Sequence, residues 1–314
     1  MRFSCSLPIE GSFQSVEAIA AAARAIEAAG VDACFVTDHP APSAEWLSQP
    51  QNGAHETLDP FVALTAAATV TRRLQLHTNI IVLPYRNPFI VAKSAASLDA
   101  ISGGRVILGV AVGYHQPEFD TLGVSFDERG AITDEGIAVM RKAWTGEPVA
   151  YQGRYFNARD AVVRPRPARP EGIPIWGGGN SKRAIRRAVE LCDGWSPFPA
   201  PAWVTTFAGT DELETIDQLR AKLVYLRDYA AEIGRAGPID ICTGRFGQNG
   251  QLNHGGAVDP AEAIDAYSAL AEAGVTCAGF HVGADSPAQF AENVQWFGEE
   301  IIAKVKEATT PVAA

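Results

Sequence analysis

From Leu74 to Gly113 the chain reads as an apolar run, a helical stretch and a second apolar run: LQLHTNIIVLPYRNP, then FIVAKSAASLDAIS, then GGRVILGVAVG. Both runs are too uniformly apolar for a sheet with one wet face, so they predict parallel strands covered on both sides. Polar side chains gather where these strands end. Thr78, Asn79, Arg86 and Asn87 follow the first, and Tyr114 and His115 follow the second. In parallel α/β folds that carboxyl edge is where ligands bind.

The same alternation extends through the chain. Strands are predicted over Arg2 to Pro8, Cys34 to Thr37, Ile173 to Trp176, Gly194 to Phe198, Ile239 to Arg245 and Cys277 to Val282. Between them lie helical stretches at Val16 to Ala29, Asp59 to Thr71, Ala131 to Trp144, Ser181 to Leu191, Glu214 to Ile233 and Asp259 to Gly274, with a last helix from Ser286 to about Lys304. Asp59-Pro60 and Asp259-Pro260 are start signals, a cap followed by proline at the first helical position. This count of strand–helix units predicts a (β/α)8 TIM barrel with insertions, one domain over residues 1–314. A β-hairpin insertion is expected at about 147–170, and lid loops at about 41–59 and 199–213. A doubly wound open sheet is the alternative. Against it, residues 9–15 hold a single glycine, so the Gly-x-Gly-x-x-Gly turn is absent after the first strand.

Composition narrows the function. A net charge of -10 disfavours a nucleic-acid partner, which would need a basic face. Five scattered cysteines without a Cys-x-x-Cys are expected to be reduced core residues, in keeping with a cytoplasmic location. The start MRFSCSLPIE carries no basic stretch or long apolar core, so no signal peptide is expected. No run approaches the roughly 20 apolar residues of a membrane span.

Three places offer chemistry. Asp38-His39 follows the second strand, and His39 is the side chain best suited to moving a proton near neutrality; the plainer reading is a turn before Pro40. Gly177, Gly178, Gly179 and Asn180 open a helix, so free amides and the positive dipole end converge as a phosphate would require. A tight turn with a basic solvated face (Lys182, Arg183, Arg186, Arg187) is the alternative there. Thr78 and Asn79 need polar partners at the end of a buried strand, either a planar ligand or neighbouring strand ends. His77 and His281 read as core or mouth residues. Trp46, Trp195, Trp203 and Phe207 are placed to wall an apolar pocket or to pack the loops. No cluster has metal-ligand spacing, and a Gly-x-Ser-x-Gly elbow is missing.

Several motifs in fixed order resemble one family: VTDHP, TNIIVLPYRNP, AKSAASLDAISGGRVILGVAVGY, DEGIAVMRKAW, GEPVAYQGRYF and PIWGGGN. Together they resemble the bacterial luciferase-like superfamily, and within it the coenzyme F420-dependent oxidoreductases. The resemblance implies a cofactor ring at the carboxyl end of the barrel. It places Asp38 and His39 near that ring, with His39 as the proton-transfer residue. It also places Thr78 and Asn79 behind the ring at a non-prolyl cis peptide, Gly113 at its edge, and Gly177 to Asn180 at its phosphate. The activity it implies is hydride transfer between the deazaflavin and a small organic substrate. An FMN-dependent monooxygenase with a separate reductase is the alternative, and a non-catalytic cofactor-binding barrel is another. Sugar-phosphate-specific relatives carry an acidic residue just after strand four; here AVGYHQ stands there, so a sugar substrate is not implied. Lys182, Arg183 and Arg186 are available to a poly-glutamate tail. A homodimer is the expected assembly.

Overall fold

The computed structural model describes residues 1–49, 55–246, 251–252 and 258–309. Its strands are β1 (Arg2–Ser6), β2 (Ala33–Val36), β3 (Gln75–Val82), β4 (Val106–Ala111), β5 (Val149–Gln152), β6 (Asn157–Ala161), β7 (Ile175–Gly178), β8 (Gly194–Ser196), β9 (Asp240–Gly244), β10 (Gln251–Leu252) and β11 (Cys277–Val282). Its helices are α1 (Val16–Ala28), α2 (Ala44–Leu47), α3 (Pro60–Val70), α4 (Pro88–Ser102), α5 (Gln116–Thr121), α6 (Arg129–Ala143), α7 (Lys182–Leu191), α8 (Ala202–Ala208), α9 (Ile216–Glu232), α10 (Pro260–Ala273), α11 (Pro287–Phe297) and α12 (Ala303–Thr309). Strands β1, β2, β3, β4, β7, β8, β9 and β11 pair in parallel in that order, and β11 returns to β1. The sheet therefore closes into the expected (β/α)8 barrel. Strands β5 and β6 form a separate antiparallel hairpin within the expected insertion. Glu135 on α6 holds its tip by accepting the N–H groups of Arg154, Tyr155 and Phe156.

Helix starts follow the sequence signals. Asp59 accepts the Phe61 N–H at 2.9 Å, and Asp259 accepts the Ala261 N–H at 2.8 Å, each with proline at the next position. Thr215 and Gln218 form a reciprocal capping box on α9. Three short helices depart from the expected loops. Helix α2 lies in the 41–59 segment, α5 in the stretch after Gly113, and α8 in the 199–213 segment. Each is at most seven residues long, too short to leave a clear period of 3.6. The last helix is interrupted by a π turn over Gly298–Ile302, where Gly298 comes so close to α1 that an added Cβ would sit 2.3 Å from the Ala29 carbonyl oxygen.

Alternation along the strands divides two cores. Phe3, Cys5, Cys34, Leu76, Leu108, Ile175, Ile241, Ala278 and Phe280 face the helices. Their neighbours in sequence, among them Ile107, Trp176, Cys242 and Cys277, face the barrel interior and pack together. Trp176 dominates that interior, and Gly194 beside it leaves it room: a Cβ there would meet the indole at 2.4 Å. His77 stands edge-on to Trp176 with ring centroids 4.7 Å apart, and neither ring nitrogen has a protein partner. Its expectation as a core residue holds, but as an unpaired one.

The layer above is different, because its inward positions on β4, β7, β9 and β11 are Gly109, Gly178, Gly244 and Gly279. On one side β3 fills the space they leave. Its register with β4 shifts between Thr78 and Ile81, and the Asn79–Ile80 peptide is cis, as the family resemblance implied. An added Cβ at Gly109 would lie 2.0 Å from the Thr78 carbonyl oxygen, and one at Gly178 would lie 2.7 Å from Ile80. On the other side, among the described residues, an added Cβ would meet only ordinary contacts. At Gly279 the nearest neighbour of an added Cβ is Phe35 at 3.9 Å, and at Gly244 it is the Gly279 carbonyl at 3.6 Å.

Two measurements check this interior. Burial, and after it the charge of Arg2, lowers the His77 pKa from 6.5 to about 3. Between those values the unfolded chain binds a proton that the folded chain refuses, so stability falls as pH drops below 6.5. Denaturation of His77→Leu between about pH 5.5 and 4.5 should show a slope shallower by about 1.4 kcal/mol per pH unit; an unchanged slope would mean that His77 is protonated in the fold. In the upper layer, Gly109→Ala should lose about 3 kcal/mol or more, an overpacking penalty against backbone. Gly279→Ala should stay within about 0.5 kcal/mol of the parent. Equal losses would contradict the half-filled layer.

Candidate functional site

The carboxyl ends of the strands bring together side chains from β2, β3, β4 and β8. His39, just past β2, is held from both sides. Its Nδ1 lies 3.0 Å from Glu118 Oε2, and its Nε2 lies 3.2 Å from the Tyr114 hydroxyl. Glu118 sits on α5 and is fully buried. Its other oxygen accepts the Ala41 N–H at 2.7 Å. Burial pushes the Glu118 carboxyl up, but the hydrogen bonds from His39 and Ala41 outweigh it and hold the group below its ordinary range. The carboxylate thus fixes the tautomer of His39: Nδ1 carries hydrogen toward Glu118, and Nε2 is left to accept. Burial, with Glu118 nearby, pushes the Tyr114 hydroxyl up to about 12, so it remains a donor to that nitrogen.

An aromatic layer covers this array. The ring of Trp46 lies 4.9 Å from His39 at a tilt of 32°, and His55 meets both His39 and Trp46 at 5.0 Å. His115 accepts the Ser43 N–H at 3.2 Å, which joins the 41–59 segment to the β4 end. Burial lowers the pKa of His55 and of His115. Both are consequently neutral rings at pH 7, suited to packing against a planar partner.

Asp38 is buried and turned away from His39's partners. The Arg86 guanidinium grips both its oxygens, and its Oδ2 also accepts the Val82 N–H at 3.2 Å. Arg86 then reaches Asp59, the cap of α3, at 3.1 Å. Asp38 therefore ties the β2 end to the β3 end, and Arg86 carries the tie on to the far end of the 41–59 segment. A bidentate pair of this kind sets geometry as well as energy.

At the β3 end, Thr78 donates its hydroxyl to the Gly109 carbonyl at 2.9 Å and is fully buried. Asn79 accepts the Ser196 hydroxyl at 3.1 Å through Oδ1. Gly113 adopts φ +80°, and a Cβ there would collide with Val82 at 2.5 Å and Phe119 at 3.0 Å. That close approach seats the start of α5, and so Glu118, against the β3 end.

The glycine turn lies across the mouth. Gly177 backs onto α7, Gly178 faces Ile80, and Gly179 takes φ +109°. Ser181 caps α7 by accepting the Ala184 N–H at 3.2 Å. Asn180 is fully buried and serves the following loop: its amide donates to the Phe198 and Asp211 carbonyls and accepts the Phe198 N–H. Lys222 on α9 reaches the Asn180 carbonyl at 2.9 Å and Asp211 at 3.0 Å, placing a cation beside the turn. The basic face of α7 is divided. Arg187 is buried and bonded to Asp134 and the Gly130 carbonyl, against the solvated face expected, because α6 packs over it. Arg186 lies over Tyr229 and donates to the Tyr225 hydroxyl, and Lys182 lies over Tyr225.

Of the expected walls, Trp46 stacks on His39, and Trp203 is 54% exposed on α8. Trp195 faces the helices, with its indole N–H donated to the Gly179 carbonyl at 2.8 Å. The Phe207 side chain lies outside the described residues. His281 stands edge-on to Phe35 with centroids 5.2 Å apart. Sequence reasoning missed Glu118, Tyr114 as a partner of His39, and Lys222. The one available signal was a glutamate flanked by proline and phenylalanine in HQPEF, just after the β4 end.

A family model described as luciferase-like monooxygenase matches residues 1–247. An uncharacterized protein of Mycobacterium tuberculosis is 32% identical over 300 residues, which span 90% of this chain and 94% of the relative. The structure of monooxygenase RslO1 from Streptomyces bottropensis superposes with a TM-score of 0.74 at 21% identity, over 96% of this chain and 99% of its own. The coenzyme F420-dependent tetrahydromethanopterin reductase of Methanopyrus kandleri superposes with a TM-score of 0.71 at 19% identity, over 97% and 99%. At those identities the two structures share the fold with this chain. The match of the family model over most of the sequence shows that the chain belongs to the luciferase-like monooxygenase family.

Proposed function

We propose that this protein is a coenzyme F420-dependent oxidoreductase acting on a small organic substrate. The observation that carries the reading is the half-filled upper layer of the barrel beside a polarised histidine. Gly244 and Gly279 bring no side chain into the mouth, and Ile80, Asn79, Trp46 and His55 are the residues that would hold a flat ring there. The N-terminus of α7, with Gly179, Ser181 and Lys222, suits the phosphate of such a cofactor. Bound there, a deazaflavin supplies hydride transfer at its C5. The protein's own part is to orient the ring, exclude water and move a proton at His39 Nε2. Glu118 positions His39 through Nδ1, while Tyr114 holds Nε2 until a substrate oxygen takes its place. Asp38, Thr78 and Gly113 act by position: they fix the strand ends that carry His39, Asn79 and Glu118. Membership of the family and the F420-dependent structural relative support the reading. The monooxygenase relative supports oxygen chemistry as the second reading, with FMN as the cofactor we would assign to it.

We further propose that the protein is a homodimer built on α3 and α4. These two neighbouring helices have sequences PFVALTAAATV and PFIVAKSAASLDAIS, which hold only Lys93 and Asp99 as charged residues. Asp99 is buried, and Lys93 bonds to the Arg164 carbonyl. Val62, Ile90 and Ile101 are 64%, 62% and 59% exposed on the outer face. For a chain of net charge -10, a helix pair whose one exposed charge is Lys93 is where two copies meet with least repulsion.

Turnover of reduced deazaflavin with ketones, enones and nitro compounds, followed by absorbance without oxygen, tests the activity. His39→Ala should lower kcat about 10²- to 10⁴-fold and Glu118→Gln about 10²-fold, each with cofactor affinity nearly unchanged. Equal loss of affinity and turnover would remove His39 from the proton-transfer role. Oxygen consumption with reduced FMN, and none of the deazaflavin reaction, would favour the second reading. Sedimentation of Val62→Glu with Ile90→Glu should give a monomer where the parent is a dimer; a dimer that survives both would place the interface elsewhere.

A further inference from the structure

Two pairs of cysteines lie directly opposite each other on adjacent parallel strands. Cys5 pairs with Cys34 across β1 and β2, and Cys242 pairs with Cys277 across β9 and β11. All four are free and buried. The pairs differ in the face they occupy. Cys5 and Cys34 belong to the core under the helices, on the convex side of the sheet. Cys242 and Cys277 face the barrel interior with Ile107 and Trp176, on the concave side. Adjacent strands lie about 4.8 Å apart, somewhat more than the Cβ separation of about 3.8 Å that a disulfide prefers. Closure of a sheet into a barrel makes inward side chains converge and outward ones diverge. The inner pair is thus brought toward bonding distance and the outer pair away from it. The outer pair agrees with this: the Cys5 thiol turns to the Ser6 carbonyl at 3.5 Å.

The inner pair also has a solvent face nearby. Arg2 lies 5.5 Å over the Trp176 ring, and its charge acts on both thiols. Its side chain is 33% exposed and, with Gln75, lines an open cleft at the amino-terminal end of the barrel. The neighbouring Cys242 thiol and burial hold the Cys277 thiol well above its ordinary value, and the Arg2 charge opposes them only in part.

We infer that Cys242 and Cys277 form a disulfide inside the barrel when the protein meets a peroxide, a modification separate from the activity at the mouth. One thiolate attacks a peroxide oxygen, the O–O bond breaks, and the departing hydroxide takes up a proton to become water. The sulfur is left as a sulfenic acid. The second thiol attacks that sulfur, the S–O bond breaks, the S–S bond forms, and water leaves with the second thiol's proton. Two thiols are oxidised by two electrons, and one hydrogen peroxide is reduced to two waters. The bond joins the strands that carry Gly244 and Gly279, one layer beneath the glycine-lined half of the mouth.

The test is peptide mass mapping of the intact protein after hydrogen peroxide, with free thiols alkylated under denaturing conditions. The expected result is a linked pair of peptides holding Cys242 and Cys277, reversed by dithiothreitol, with Cys5, Cys34 and Cys192 alkylated. Cys242→Ser should abolish the link, and Cys5→Ser should leave it intact. Should Cys242→Ser fail to fold, the parent and Cys5→Ser still decide the point. A Cys5–Cys34 link formed first would overturn the inference. So would Cys242 and Cys277 both recovered alkylated, or oxidised singly without a link.

Discussion

The contact between the Thr78 carbonyl and the bare α-carbon of Gly109 governs the upper half of this barrel. No side chain fits between β3 and β4 there, since a Cβ would lie 2.0 Å from that oxygen. The approach lets β3 shift register after Thr78 and carry Asn79 and Ile80 inward. Ile80 then occupies the space over Gly178, which is why β7 also needs glycine at that height. Trp176 and its neighbours fill the layer beneath, in the manner of an ordinary packed barrel. What results, among the described residues, is a filled side of the mouth and a side lined by the bare backbone of Gly244 and Gly279.

The polar groups around the mouth are joined in chains that leave His39 in one orientation. Asp38 and Arg86 bind the β2 end to the β3 end and to the cap of α3. Glu118 binds α5 to His39 and to the backbone at Ala41. Gly113 makes the second chain possible, because Val82 and Phe119 close on it from both sides. Carboxylates buried in this way are satisfied by several donors each, which offsets the cost of taking them out of water. The function of Asp38 and Glu118 in this account is to hold His39 and the strand ends still.

The barrel was legible because its evidence is long: uniform strands, proline and aspartate start signals, and glycine stops repeated along the chain. The family motifs pointed to the cis peptide at the β3 end, and singled out His39 and the turn at Gly177–Asn180 as candidates. Glu118 was not legible. It lies on a six-residue helix, and its partner His39 is 79 positions away, so no local spacing joins them. Arg187 was misjudged for a related reason: periodicity places it on a basic face, but only the packing of α6 shows that this part of the face is covered. His77 shows the limit from the other side, since its strand position was clear while its unpaired nitrogens depend on Trp176, about 100 residues away in sequence.

The central claim is that the glycine-lined half of the upper layer receives a flat cofactor ring with the deazaflavin preferred. Its most direct test is a fluorescence titration of the purified protein with coenzyme F420 and, separately, with FMN. The account predicts saturable binding of the deazaflavin in the micromolar range or below, and much weaker binding of FMN. Saturation by FMN with no response to the deazaflavin would contradict the assigned cofactor. Binding of neither would contradict the reading of the mouth itself.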